Sequence, residues 1–354
     1  MYAIPNAVAS VETMDINDER AQNGLSRKTP LKAPFPYNGG KSTIASVVWQ
    51  RLGDVPNYIE PCCGSAAVLL ARPHVPSVET INDASGLLIN AYRSIRLAPE
   101  ETAHWCDWPV SECDTHARHA WLLTQREGLT ARLEGDPLYY DPQIAGWWIW
   151  GACCWIGAGW CSGKGPWEVR DGQLLHLGDA GRGIHRQLPH LGDAGRGIHR
   201  QLPHLGDAGR GIQAYLVALA DRLRGARITC GDWQRVLGPS VTYRHGLTGI
   251  FLDPPYPEEE HAFGYATGGD IWEDCWHWAL ANGDNPLLRI VLCGYDTARH
   301  VPQDWRAMRW KARGGYGSQG HGRGRENAAR EVLYCSPHCV VADEELPLFA
   351  GAML

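Results

Sequence analysis

YIEPCCGSAAVLL, Tyr58 to Leu70, is the stretch on which the reading of the chain turns. A short apolar run, Asn57–Glu60, ends in an acid and Pro61. Gly64 then sits in a turn of small residues, and AAVLL continues as helix. Glycine at such a turn lets the backbone approach a ligand at the start of the following helix. A second short strand, Val78–Ile81, leads into Asn82-Asp83, and a helix is predicted from about Ser85 to Ile95. An acid ending the second strand is placed to accept from a ribose hydroxyl. Strand, glycine turn, helix, strand, acid predicts the opening of a doubly wound α/β domain. The glycine turn alone is a weak signal, since an ordinary tight turn reads the same way.

Further strands are predicted at Arg227–Cys230, Gly249–Leu252, Ile290–Cys293, Met308–Lys311 and Glu331–Cys335. Between the early and late strands lies a long stretch rich in Trp, His and Gly. A structureless loop of that length is implausible inside a compact domain, so it is read as an inserted subdomain, mainly helix and loop. The expected organisation is a polar leader over 1–30, a first α/β part over 31–104, the insertion over 105–225, a second α/β part over 226–345 and a tail over 346–354. The leader lacks an apolar segment and is not expected to be a signal peptide.

FLDPPY, Phe251 to Tyr256, carries the clearest chemistry. An apolar strand delivers an acid, two prolines and an aromatic ring at its carboxyl end, where open α/β sheets hold ligands. An exocyclic amino group on a base is a poor nucleophile, because its lone pair is delocalised into the ring. Asp253 can accept one of its hydrogens and the Pro254 carbonyl the other, which favours a pyramidal nitrogen. Pro254 and Pro255 offer no competing N–H and stiffen the turn. Tyr256 can stack on the base, worth about 1–3 kcal/mol. Without a ligand the same letters describe a proline-stiffened turn.

PFPYNGGKS, Pro34 to Ser42, invites comparison with a phosphate-binding loop. That pattern requires Gly five positions before Gly40, where this chain has Phe35. Gly39, Gly40 and Lys41 can still bring N–H groups and an ammonium to a carboxylate. Hydrophobic content of 44% and charged content of 20% belong to a chain that folds around a core. A net charge of −6 leaves no overall basic footprint, so nucleic-acid contact would have to come from local patches. Twelve Cys without a CxxC pair fit reduced thiols rather than a disulfide framework. Sixteen Trp against four Phe serve equally for core filling and for stacking. The uncharged run Ile144–Cys161 mimics a membrane span, but its glycines and evenly spread Trp argue against one.

Taken together, PFPYNGGKS, EPCCGSAAVLL, NDASGLLINAYRSI, CGDW and FLDPPY resemble the Dam-type (D12 class) DNA adenine-N6 methyltransferases, especially phage and prophage members. WWIWGACCWIGAGWCSGKGPW and ENAAREVLYCSPHC resemble them too, so the likeness covers roughly residues 31–340. It implies a Rossmann-like sheet that binds S-adenosyl-L-methionine, with the insertion as target-recognition region. It implies double-stranded DNA as partner, with neither a membrane nor an obligate protein partner, and residence in the cytoplasm of a bacterial host. Tyr37, Asn38, Gly39, Gly40 and Lys41 would line the cofactor pocket and the catalytic edge. Glu60, Pro61, Cys62 and Gly64 would underlie the methionine part of the cofactor, and Asp83 would hold the ribose. Asp232 and Trp233 would lie beside the cofactor adenine. Asp253, Pro254, Pro255 and Tyr256 would form the catalytic tetrapeptide, with Asp253 also at the cofactor. Ala66 departs from the family, which often has a second Gly there; a methyl group narrowing the turn would bear on cofactor affinity.

HLGDAGRGIHRQLP begins at His176, recurs identically at His190 and starts again at His204. Identical copies argue for a recent duplication, since packed copies in different surroundings would be expected to diverge. The 176–212 repeat reads as an expanded loop or as an arm reaching DNA through Arg182, Arg186, Arg196, Arg200 and Arg210. ARGGYGSQGHGRGRE, Ala312 to Glu326, adds Arg313, Arg323 and Arg325 as phosphate contacts, or is a solvated loop. Cys106, Cys113, His116 and His119 have the letters of a zinc set, but positions i, i+3 and i+6 drift around a helix, so no metal is expected and the histidines are read as surface residues. Two rivals stay open: an amino methyltransferase for cytosine N4 or RNA, and a DNA-binding module that has lost catalysis.

Overall fold

The computed structural model describes residues 31–37, 40–155, 160–161, 167–170, 173–176, 211–255, 271–295, 301–310 and 331–341. Contacts divide the chain into Met1–Pro30 and Leu31–Leu354, and every described residue lies in the second unit. The described strands are β1 (Asn57–Glu60), β2 (Val78–Asp83), β3 (Trp167–Arg170), β4 (Gln173–His176), β5 (Ala226–Cys230), β6 (Thr248–Leu252), β7 (Leu288–Tyr295), β8 (Arg306–Arg309) and β9 (Glu331–Cys335). Seven of them form one sheet in the order β5-β2-β1-β6-β7-β9-β8. The first five run parallel, and β9 runs antiparallel between β7 and β8. NYIE in β1 and TGIFL in β6 are buried at every position, as befits parallel strands covered on both faces. The result is a mixed α/β protein whose mostly parallel sheet is compatible with a Rossmann-like fold.

The predicted strand over Asn57–Glu60 agrees with β1 to the residue. The one expected over Val78–Ile81 runs on to Asp83, because the Asn82 and Asp83 backbones pair with Thr229 and Cys230. β8 begins two residues earlier than expected. β3 and β4 form an antiparallel hairpin inside the insertion, which was read as helix and loop. Asp171-Gly172 between two four-residue runs was the available hairpin signal.

Helices are α1 (Ala45–Leu52), α2 (Ala67–Leu70), α3 (Gly86–Leu97), α4 (Pro99–Cys106), α5 (Glu112–Arg126), α6 (Leu129–Gly135), α7 (Pro142–Cys154), α8 (Ile212–Leu223) and α9 (Ile271–Asn282). Ser85 caps α3 by accepting from Leu88 N, Ser111 caps α5 by accepting from Asp114 N, and Asp141 caps α7 by accepting from Ile144 N at 2.8 Å. α7 is the uncharged run that mimicked a membrane span. It is buried nearly all round because α3, α4 and α5 pack on it. Gly146 lets Trp105 of α4 lie directly on the α7 backbone, where any side chain would collide with it. Among the described residues no helix is long and apolar enough to cross a membrane. All twelve cysteines are free thiols.

The chain returns from the insertion through α8, which a charge clasp joins to the sheet. Glu79 on β2 accepts from Arg222 Nη1 at 2.7 Å and Nη2 at 2.9 Å, and from Arg72 Nη1 at 3.2 Å. Its carboxylate is almost fully buried, so this fork-shaped pairing offsets the cost of taking the charge out of water. At the β5 end of the sheet, Arg96 Nη1 donates to the Ala226 carbonyl at 2.7 Å and Arg235 donates to the Cys230 carbonyl. At the other end β8 reads RAMR, with both arginines exposed.

Candidate functional site

β1 is the strand at which the sheet changes direction: β2 lies on one side of it and β6 on the other. Open α/β sheets hold ligands outside the carboxyl ends of the strands at such a switch point. Here those ends carry Pro61–Gly64, Asp83 and Asp253.

The turn after β1 is tied to its neighbours through Asn82, a fully buried side chain that the sequence reading passed over. Asn82 Nδ2 donates to the carbonyls of Pro61 and Gly231, both at 2.9 Å. Cys63 N donates to the Asn82 carbonyl at 2.8 Å, and Gly231 N to that of Asp83 at 2.9 Å. The tips of β1, β2 and β5 therefore move as one piece. Gly64 is left-handed, with φ +46°; its N–H donates to Asp83 Oδ2 at 3.1 Å and its carbonyl accepts from Tyr92 Oη at 3.2 Å. Asp83 Oδ1 accepts from Ser85 N at 2.9 Å. Burial pushes the Asp83 carboxyl up, and the backbone N–H groups of Ser85 and Gly64 pull it back. With the Ala84 N–H also directed at it, three of the carboxylate's about four acceptor positions are engaged and one is left for a further donor.

Ala66, the departure from the resembling family, is also left-handed, with φ +47°. Its methyl group costs roughly 1–2 kcal/mol of backbone strain, a penalty a glycine would not carry. The methyl is fully buried, and it caps α2 without a side-chain hydrogen bond.

Gly64→Ala is expected to be worse still. A Cβ there would stand 2.8 Å from Tyr37 Cε1 in a turn that is already left-handed. The substitution should cost about 2 kcal/mol or more, read as a lower urea midpoint at unchanged m-value. An unchanged midpoint would mean that Tyr37 does not pack on this turn.

Glu60 is buried, and its Oε1 accepts from Tyr58 Oη at 2.7 Å and from Leu69 N at 2.5 Å. Burial raises its carboxyl to about 8 against those two hydrogen bonds, so the group is largely neutral at pH 7. It holds the head of α2 to β1. Cys62 is partly exposed, whereas Cys63 is buried. Asp232 accepts from Gln234 N at 2.8 Å and caps a short 3-10 helix, Trp233–Val236, in which Trp233 is buried.

Lys41 and Asp253, far apart in sequence, meet above β6 with Nζ to Oδ1 at 2.9 Å. The Lys41 side chain is 5% exposed and that of Asp253 21%, so the ammonium is the inner partner and the carboxylate the outer one. Burial is the largest influence and opposes the ammonium, but Asp253, with smaller help from Cys293 and Glu331, more than offsets it, and Lys41 is held above its ordinary pKa. Burial pushes the Asp253 carboxyl up on balance, while the Lys41 charge and hydrogen bond, and to a lesser extent the neighbouring Cys293 of β7, pull it back. Glu331, the first residue of β9, adds negative charge near Lys41. Neither Cys293 nor Glu331 was singled out from sequence, although both fall within predicted strands. Gly40 N donates to the Tyr37 carbonyl at 3.2 Å, closing the loop that delivers Lys41. Pro254 is buried and Pro255 half-buried.

Compared with family models and with curated proteins, this chain matches none. The reading of the site therefore rests on its own geometry.

Asn38, Gly39 and Tyr256 lie outside the described residues, as do Arg182, Arg186, Arg196, Arg200, Arg210, Arg313, Arg323 and Arg325. Among the described residues no three His, Cys, Asp or Glu side chains are grouped to hold a metal ion. His119 is not the surface residue expected. It is buried against the rings of Trp155 and Trp160, with centroids 4.9 and 5.0 Å away and the two indoles 5.2 Å from each other, and neither ring nitrogen has a hydrogen-bond partner. Beside it Arg118 lies over Trp108, Trp147 and Trp150, the nearest ring 4.3 Å from its guanidinium carbon. Much of the tryptophan in this region is thus spent on packing rather than on an open stacking surface.

Proposed function

We propose that the chain is an S-adenosylmethionine-dependent methyltransferase acting on N6 of adenine in double-stranded DNA. The observation that carries this reading is the Lys41–Asp253 pair at the switch point of the sheet, with the Gly64 turn at the end of the adjacent strand β1 and Asp83 at the end of β2 beyond it. The residues suit the cofactor. Asp83 has acceptor capacity left for a ribose hydroxyl, and the partly exposed Cys62 and the Gly64 backbone border the same end of the sheet. Bound S-adenosylmethionine would supply a methyl group already activated on a sulfonium, so the protein needs alignment and desolvation rather than a strong base.

Asp253, paired with Lys41, accepts one hydrogen of the adenine amino group, and the Pro254 carbonyl accepts the other. The nitrogen lone pair is then directed at the methyl carbon. A base inside a duplex is out of reach, so the adenine is flipped out at a cost of a few kcal/mol, offset by stacking, for which the sequence offers Tyr256. The arginines of the repeat and of Ala312–Glu326 are the candidate phosphate contacts. The bacterial cytoplasm, where DNA and cofactor coexist, is the corresponding location.

The test is methyl transfer from labelled S-adenosylmethionine to unmethylated genomic DNA, followed by digestion to nucleosides, beside Asp253→Asn. The expected result is label in N6-methyladenine, reduced roughly a hundredfold or more in the variant. Label in N4-methylcytosine would replace the base while keeping the site. Absence of both label and cofactor binding would overturn the enzyme reading and leave a DNA-binding module.

A further inference from the structure

At the β5 margin of the sheet, α3, α6, β5 and the short 3-10 helix line a cleft of about 260 Å³. Arg93 and Arg96 of α3, Arg235 of the 3-10 helix and Glu134 of α6 are in its wall. α3 starts from its Ser85 cap beside Asp83, so the two α3 arginines stand roughly 12–16 Å further along the helix, away from the proposed cofactor site. Three guanidinium groups against one carboxylate leave the cleft positively charged, in a chain whose net charge is −6.

The guanidinium groups are fixed mostly by carbonyls. Arg93 donates from Nη1 to the Leu133 carbonyl at 3.0 Å and from Nη2 to those of Asp136 and Pro137. Arg96 Nη1 donates to the Ala226 carbonyl, and Arg235 Nη1 to the Cys230 carbonyl and to Glu134 Oε1 at 2.7 Å. A carbonyl orients a guanidinium without cancelling its charge. Burial opposes the Arg93 cation, Asp136 supports it, and Arg96 adds repulsion, so the two α3 cations sense one another. On Arg96 and Arg235 the bonds engage Nη1 alone. Each keeps the Nε–Nη2 edge of its fork, which can meet two oxygens of one anion.

We propose that this cleft binds a phosphate group through the Nε–Nη2 edges of Arg96 and Arg235, with Arg93 as a fixed positive charge in its wall. Planar forks match pairs of phosphate oxygens. The volume agrees: sites for drug-sized ligands run from about 300 to 1,000 Å³, and this cleft is smaller, as one phosphate with a small attachment requires. A free phosphate or phosphomonoester and a phosphate of the DNA backbone offer the same chemistry. The inference does not depend on the methyltransferase reading.

The experiment titrates the full chain with inorganic phosphate by calorimetry at pH 7, with ionic strength held constant by chloride. Arg96→Gln, Arg235→Gln, Glu134→Gln and Arg306→Gln are run beside wild type. Saturable binding is expected, weaker by about tenfold in Arg96→Gln and in Arg235→Gln. Glu134→Gln removes a competing carboxylate and should tighten binding about threefold, a gain that misfolding does not produce. Arg306 is exposed on β8 at the opposite margin, and its substitution should leave binding unchanged. No saturable binding, or equal binding in wild type and all four variants, overturns the proposal. Fluorescence anisotropy with a labelled DNA duplex then separates the two sources. If the backbone supplies the phosphate, Arg96→Gln and Arg235→Gln each weaken duplex binding and reduce its salt slope by about 1. Duplex affinity unchanged by either substitution assigns the cleft to a free phosphate.

Discussion

Asp253→Ala is expected to destabilise the protein by about 3 kcal/mol, and Lys41→Met by clearly less. Breaking a buried ion pair by removing one partner typically costs 3–5 kcal/mol, because the other charge is left without compensation. The two partners differ in how well water can rescue them. Without Asp253 an ammonium that is 5% exposed is stranded against the sheet. Without Lys41 the carboxylate left behind is 21% exposed and so keeps partial contact with water. In Lys41→Met/Asp253→Ala no charge is stranded, so the double variant should be more stable than the sum of the single losses by about 1–3 kcal/mol. Urea denaturation of the four proteins measures this directly. Additive losses would mean that the pair is not coupled, and equal single losses would mean that the two charges are equally accessible to water.

The second large effect is on acid stability. An unfolded His119 binds its proton near pH 6.5, whereas in the folded protein burial, helped by the charges of His116 and Arg126, lowers the value to about 4. The unfolded chain therefore holds more protons than the folded one between those values. The His119 contribution is complete above pH 6.5 and is lost as pH falls to 4, for a total of about 3 kcal/mol. Glu60 acts in the opposite sense: its folded value of about 8 lies above its ordinary 4.5, so its contribution is present below 4.5 and is lost as pH rises to 8. Between 4.5 and 6.5 the two slopes oppose each other, so a wild-type pH profile shows only their difference there. The informative comparison is wild type against His119→Phe, which keeps an aromatic ring against Trp155 and Trp160 but cannot titrate. The difference in unfolding free energy between them should change by about 3 kcal/mol from pH 6.5 to pH 4. A constant difference would place His119 in contact with water.

The strands were legible because buried parallel strands read as short apolar runs stopped by Gly, Pro or an acid, as in Asn57–Glu60 and Thr248–Leu252. Their order in the sheet was not, since nothing in the letters of a strand says which strand lies beside it. Gly64, Asp83 and Asp253 stood out because special backbone or charge at a strand end is visible in one dimension. The Lys41 loop was read as able to bring an ammonium to a carboxylate, but which carboxylate was not legible, because Asp253 lies in a distant part of the chain. Cys293 was hidden by chemistry: in IVLC the cysteine reads as one more apolar letter, and only the register of β7 with β6 sets it beside Asp253. His119 was misread because a helical period shows which residues share a face but not whether another segment covers it. The covering rings, Trp155 and Trp160, come from beyond α7.

A sheet that does not close on itself has two free margins, each a row of backbone groups ready to recruit any extended chain that drifts past. Arg96 and Arg235 fasten onto the outward carbonyls at the first and last residues of β5, so an incoming strand would have to displace two guanidinium groups to pair there. At the far margin β8 is only four residues long and carries a charge at each end. Both margins are thus closed to templated growth by cations. Such margins are expected to resist strand-templated growth, and exchanging those arginines for small apolar residues is expected to weaken that resistance.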